Sequence, residues 1–225
     1  MPEAAGFMSG EGGETSRIEA FSDGVFAIAM TLLVLDLKVP HDLPDGTTLA
    51  VALARQWPSY LAFVTSFATI LIMWVNHHRI FTLIGRFDDR LLFYNGLLLL
   101  GVTVVPFPTG LVAEYLGHPG QYLAAAIYNG TFIVIALLFT LLWRTASTDG
   151  RLIHRSANAD SVRAVTESYR WGPAIYGIAF ALAFVNVAAS LALNLALAVK
   201  FARPISKTPR GESNERRLGD SGGAL

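Results

Sequence analysis

Several apolar runs of about 20 residues leave this chain little choice of surroundings. A helix rises 1.5 Å per residue, so about 20 apolar residues cross the roughly 30 Å of hydrocarbon in a bilayer. Of the 225 residues, 53% are hydrophobic and only 15% are charged. Inside hydrocarbon every backbone polar group must be satisfied by the chain itself. Long, non-alternating runs meet that demand as helices. The expected fold class is therefore an all-α integral membrane protein. The chain has no cysteine, which excludes disulfides and thiolate metal sites. Its formal net charge of +0 carries no information, because the placement of charge orients a membrane protein and the total does not.

Six spans are expected in one unit covering 17–203, at about 18–39, 57–80, 91–114, 121–143, 165–183 and 185–202. Residues 1–16 carry no basic residue and read as a disordered N-terminal tail, not a cleavable signal. Residues 204–225 read as a disordered C-terminal tail. Pro58 suits a first helical turn, whereas Pro106 and Pro108 should kink or end the third span. The last apolar region, about 171–202, would be roughly 48 Å long as one helix, too long for one ordinary crossing. Charge decides the count. All but Lys38 and Arg55 of the 17 Lys and Arg fall at the N-terminus, between spans 2 and 3, between spans 4 and 5, or at the C-terminus. Basic residues mark the cytoplasmic side. An inside start and an inside finish need an even number of crossings, so six fit and five do not. The expectation is a multi-pass protein of the cell (plasma) membrane, surrounded by lipid bilayer, with both termini cytoplasmic. No internal repeat is visible, which speaks against a carrier built from two related halves.

The first span carries the most pattern. Phe21, Val25, Ile28, Leu32 and Leu35 are spaced 4, 3, 4 and 3 apart. On a wheel of 100° per residue they lie within about 60° of Ile28. Gly24 and Thr31 flank this stripe, and Asp23 points roughly away. Were several copies to meet around an axis, Ile28, Leu32 and Leu35 would form stacked apolar rings. Such rings gate ions by dewetting, and Thr31 hydroxyls would offer oxygens to a partly dehydrated ion. The plainer reading is ordinary helix packing, with Thr31 bonded back to the preceding turn.

A polar cluster sits toward the cytoplasmic end. Arg17, Ser22 and Asp23 on span 1 lie at similar depth to His77 on span 2 and Asn95 on span 3. A buried carboxylate needs partners, so a hydrogen-bonded network is expected that fixes the rotation of span 1. A metal role for His77 and His78 is disfavoured, because neighbours on a helix point about 100° apart. Asp36, near the outer end of span 1, is a candidate pore-mouth charge or a solvated helix-end group.

Arg17-x-x-x-Phe21-Ser22-Asp23, continuing Gly-Val-Phe-Ala-Ile-Ala-Met-Thr-Leu-Leu, resembles the transmembrane protein 175 channels. Trp74-x-x-His77-x-Arg79-x-Phe81 and Asn95 with Val105-Pro106-Phe107-Pro108 support the resemblance, which covers 17 to about 115. It implies a potassium-permeable cation channel, modestly selective over sodium. A single six-span set implies a bacterial-type homotetramer with helix 1 lining the pore. By the same resemblance Ile28 forms the constriction, Leu32 and Leu35 extend it, and Thr31 contributes to potassium preference. Arg17, Ser22, Asp23, His77 and Asn95 match a helix-positioning network. No cofactor, resident metal or nucleic-acid partner is expected. The alternative is a proton-permeable or proton-coupled transporter using Asp23 and His77. An enzyme is disfavoured, since no nucleophile–base pair or metal-spaced triad falls in the spans.

Overall fold

The structure is a computed structural model that describes residues 10–41 and 46–202. Its elements, in chain order, are all helical. α1 spans Gly10–Leu32 and tightens into a 3-10 turn at Leu33–Asp36. The short α2, Leu49–Arg55, leads into α3, Trp57–Phe81. Then follow α4, Asp89–Val104; α5, Pro106–Tyr115; and α6, Gln121–Ser147. α7, Ala159–Arg170, α8, Gly172–Ala183, and α9, Val187–Ala202, complete the described residues.

Local chemistry sets many of these boundaries. Thr48, Asp88 and Asn158 cap α2, α4 and α7 by accepting backbone N–H groups of the first turn. Pro58, Pro106 and Pro173 sit in first turns, where a missing donor costs nothing. Gly120, at φ 97°, makes the left-handed entry to α6. The third span breaks at Val105, directly before Pro106, as the prolines lead one to expect.

Two boundaries differ from expectation. α1 begins at Gly10, inside the stretch read as an N-terminal tail to residue 16. Once an apolar span has nucleated a helix, each added residue gains a hydrogen bond without a new nucleus. Residues 1–9 and 203–225, and so the expected C-terminal tail, lie outside the described residues. The expected fifth span, 165–183, is divided at Trp171. Pro173 has no N–H to donate and its ring clashes with the carbonyl four residues back, so α7 stops at Arg170 and α8 starts afresh at Gly172. Residues up to Arg170 belong instead to α7, an amphipathic helix that buries Val165 and exposes Arg163 and Arg170.

Among the described residues, four helical stretches are long and apolar enough to cross a membrane: Thr15–Asp36, Trp57–Phe81, Asp89–Tyr115 and Gln121–Gly150. α8 and α9 are shorter; the 12 residues of α8 reach only about 18 Å.

α6 stands at the centre, packed on α4, α5, α8 and α9, while α3 packs on α1, α5 and α9. Trp143, Tyr128, Phe132, Ile70 and Leu98 fill the space between them. Within a bilayer, helices associate by close packing and hydrogen bonds, since lipid tails are as apolar as leucine. Both devices are visible. A Cβ at Gly101 would lie 3.0 Å from Ile135 Cγ1, so α4 and α6 meet closely there. Two buried polar clusters then tie the helices. Thr109 Oγ1 lies 2.8 Å from Ser66 Oγ, which lies 3.1 Å from the Tyr128 hydroxyl, joining α5, α3 and α6. Asn129 donates to Ser190 Oγ at 3.0 Å and accepts from Asn194 at 2.8 Å, while Ser190 donates to the Ala179 carbonyl, joining α6, α9 and α8.

At the basic end, two connecting loops are latched. Gly85 N–H donates to the Leu152 carbonyl and His154 N–H to the Leu83 carbonyl, both at 2.9 Å. Arg151 pairs with Asp88 at 2.6 Å. A Cβ at Gly85 would meet His154 Cα at 3.0 Å, so this crossing requires glycine.

Candidate pore-lining helix

α1 has two unlike faces. Ser22, Phe26 and Ala29 are fully buried on the side of α1 that packs on α3 and α4, and Leu33 is buried where the 3-10 turn meets α3 and α5. On the other side Phe21 is 68% exposed, Ile28 59%, Leu32 41% and Leu35 70%. Val25 is half-buried at the edge of this stripe. The stripe is therefore not core of the single subunit. Thr31 is also exposed, and its hydroxyl donates to the Ile28 carbonyl at 2.9 Å. This bond uses the hydroxyl proton and leaves oxygen lone pairs facing outward.

The buried face is held by hydrogen bonds at one level. Asn95 on α4 donates to Ser22 Oγ at 3.1 Å, and Ser22 Oγ donates to the Ile18 carbonyl at 2.8 Å. Asn95 Oδ1 lies 2.8 Å from His77 Nε2 on α3. An amide oxygen only accepts, so Nε2 carries the proton and His77 is the Nε2–H tautomer. Its ring stacks on Phe81 at 4.3 Å and meets Phe26 at 5.3 Å. Three helices are thus joined through Ser22, Asn95 and His77, all buried.

Asp23 takes a different partner from the one expected. Its carboxylate accepts from Trp74 Nε1 at 2.8 Å, not from His77 or Asn95. One turn earlier Glu19 Oε1 lies 2.6 Å from His78 Nδ1, and His78 stacks against Trp74. Glu19 and Asp23 on α1 thus face Trp74 and His78 on α3 in a second, more exposed ladder beside the buried one. Arg17 lies exposed at the rim of a groove with Ile18, Phe21, Phe87 and Leu92. Asp36 is half-buried and turned toward α5: a Cβ at Gly110 would lie 3.0 Å from Asp36 Oδ1. With Lys38, Gln56, Ser59 and Glu114 it lines a cavity of about 260 Å³ away from the exposed stripe. Among the described residues no cluster of three or more His, Asp or Glu is placed to hold a metal.

Trp74, Glu19 and His78 were absent from the expected network. The signal was present as matched four-residue spacings, Glu19–Asp23 and Trp74–His78, each pair one turn apart on its own helix.

A single-repeat helical bundle, with one span pinned on one face and bare on the other, defines a multi-pass membrane protein whose first helix is the specialised element. The family profile described as endosomal/lysosomal potassium channel TMEM175 matches residues 17–106. A potassium channel of Chamaesiphon minutus is 54% identical over 193 residues, covering 85% of this chain and 95% of that one. The crystal structure of a lysosomal potassium-selective channel TMEM175 homolog from the same organism superposes with a TM-score of 0.78. It shares 53% identity and covers 84% of this chain and 97% of that one. The human endosomal/lysosomal proton channel TMEM175 is 33% identical over 138 residues, 58% of this chain and 27% of its own. The chain belongs to the TMEM175 family.

Proposed function

We propose that this chain is the subunit of a potassium-permeable cation channel, modestly selective over sodium, in which four copies place α1 around a shared axis. One observation carries the reading: α1 buries Ser22, Phe26, Ala29 and Leu33 completely while holding Ile28, Leu32 and Leu35 outside the subunit. Around an axis those side chains form successive apolar rings. Ile28 sets the constriction, Leu32 and Leu35 lengthen the dry section, and Thr31 offers oxygen to the dehydrated ion. Arg17, Ser22, Asp23, His77 and Asn95, with Trp74, set the rotation of α1 and do not touch the ion. Asp36, the candidate pore-mouth charge, is turned toward Gly110 on α5 and so takes no part in this path. The names of the Chamaesiphon relative and of its family support potassium as the permeant ion. The work is conduction and not catalysis.

The distribution of Lys and Arg supports six crossings of the cell membrane with both termini cytoplasmic, α8 and α9 forming the last two. Elements this short span by lying tilted or shielded by protein, or by thinning the bilayer.

The test is flux in vesicles under a potassium–sodium gradient. Ile28→Asn wets the ring, so potassium flux should rise or selectivity fall. Flux and selectivity identical to wild type would refute the placement of Ile28 at the constriction. A second reading, proton permeation through Asp23 and His77, draws on the name of the human relative. A pH-sensitive dye inside the same vesicles separates the two: potassium flux without proton flux retires it.

A further inference from the structure

The basic end of the bundle contains a cavity that the pore does not use. A cleft of about 370 Å³ lies between α3, α7, α8 and α9. Arg79 and Lys200 bring positive charge to its wall, Glu167 a single carboxylate, and Asn76 and Ser168 neutral polar groups. Arg79 is half-buried and donates a long hydrogen bond, 3.4 Å from Nη1 to Asn76 Oδ1. A guanidinium has five donors in a planar fork that suits phosphate oxygens, and one weak bond leaves that fork largely uncommitted. At the rim Trp171 is 62% exposed, with the Arg170 guanidinium 5.7 Å above its ring. Tryptophan at the end of an apolar helix marks headgroup depth in a bilayer.

The cavity continues inward as a narrow slot between α3, α6 and α8. It shares Asn76, Ser168 and Tyr169 with the upper cavity, but its deeper walls are Ile72, Met73, Ile135 and Phe139. Gly172 lines it as well. That glycine is buried, yet a Cβ there would meet nothing within 4 Å. The slot, about 50 Å³, therefore has room beside α8 for a few methylenes, which no side chain of this chain fills.

We propose that the joined cavities bind one phospholipid with an anionic headgroup, its phosphate at Arg79 and the first methylenes of one acyl chain in the slot. A polar, cationic chamber opening directly onto an apolar one fits an amphipathic anion. A free anion would have no use for the slot, and a neutral lipid would gain less from the charge. Basic pockets between helices at the cytoplasmic leaflet are where anionic headgroups bind. The geometry also gives α7 a purpose, since it closes the headgroup chamber with Ser168 and Tyr169. The inference stands independently of what the pore conducts.

Purified, detergent-solubilised protein decides it. Thermal midpoint and lipid retention by native mass spectrometry are read with phosphatidylglycerol, with phosphatidylcholine of the same chains, and with inorganic phosphate. Phosphatidylglycerol should raise the midpoint and stay bound, phosphatidylcholine should do so weakly, and phosphate should do neither. Arg79→Gln should weaken phosphatidylglycerol retention about fivefold, the worth of one basic group at a charged membrane surface. Gly172→Leu, which fills the slot, should lower retention of both lipids. If Arg79→Gln fails to give a monodisperse particle, Gly172→Leu and the wild-type headgroup comparison decide alone. Equal responses to the two lipids, a shift reproduced by inorganic phosphate, or wild-type retention in the folded variants would each overturn the proposal.

Discussion

α1 and α6 are both long apolar helices, and the fold uses them in opposite ways. In the most apolar window of α6, 44% of residues are buried inside the subunit; for α1 the share is 22%. α6 turns large aromatics inward: Tyr128, Phe132 and Trp143 lie between its neighbours, and Trp143 Nε1 donates to Thr166 on α7 at 2.9 Å. α1 turns comparable groups outward and is held from behind by Ser22, Asn95 and His77. Hydropathy cannot distinguish these uses, because both helices satisfy the bilayer equally well. Both helices are tied by buried polar side chains, α6 through Tyr128 and Asn129 and α1 through Ser22; the difference is that α1 leaves its opposite face bare. A helix that presents one face to a partner needs its rotation fixed, and a directional hydrogen bond fixes it better than a methyl contact.

The contrast breaks most readily in the core. Phe132 is fully buried, meeting Tyr128 edge-on at 4.7 Å and stacking with Tyr176 at 6.0 Å. Phe132→Ala should cost about 3–5 kcal/mol, the usual range for emptying an aromatic site. Loss of the monodisperse peak, or a large drop in thermal midpoint, is the expected readout. Ile28→Ala should leave the subunit fold nearly untouched, since that side chain is mostly outside it. Equal losses at the two positions would mean that α1 is core after all.

The comparison sharpens at Asn95. Asn95→Leu keeps the branched shape, with somewhat bulkier ends, and removes both hydrogen bonds, leaving Ser22 Oγ without the Asn95 donor and His77 Nε2–H without an acceptor. Buried polar groups left unpaired cost about 1–3 kcal/mol, and single hydrogen bonds inside membranes average about 0.6. A loss of about 1–2 kcal/mol is expected, with a change in ion flux out of proportion to it because α1 is freed to rotate. Reduced stability with flux unaltered would leave the cluster as packing alone.

Much of this was legible in the residues, for physical reasons that can be named. The four long spans follow from bilayer thickness, and the break at Val105 from the missing donor of Pro106. The bare stripe on α1 follows from helical period alone, although period could not say whether it faced core, lipid or partner. Ser22, His77 and Asn95 were traceable because polar groups at one depth must find each other. Asp23 was misjudged because Trp74, 51 residues away, offers a donor that composition does not single out from other membrane tryptophans. The latch of Gly85 and Leu83 to Leu152 and His154 is made by backbone groups, which leave no trace in side-chain pattern. α7 was merged into a span because its break depends on Pro173, which cannot continue the hydrogen-bond ladder of a preceding helix, a local effect that a hydropathy window averages away.

The smallest effect is expected at the outer ladder. Glu19 and His78 lie 2.6 Å apart, but their side chains are 23% and 53% exposed, so water competes for both. Exposed pairs of this kind are worth about 0.2–1 kcal/mol. Glu19→Gln keeps a neutral acceptor for His78 and should shift the thermal midpoint by no more than a degree or two. Its value is in the comparison with Asn95→Leu. The two ties hold the same helix at the same depth, one dry and one wet. If rotation of α1 is set by the dry tie, flux should respond to Asn95→Leu and barely to Glu19→Gln. A flux change at Glu19→Gln as large as that at Asn95→Leu would place control of the helix in the solvent-exposed ladder, where salt should then weaken it.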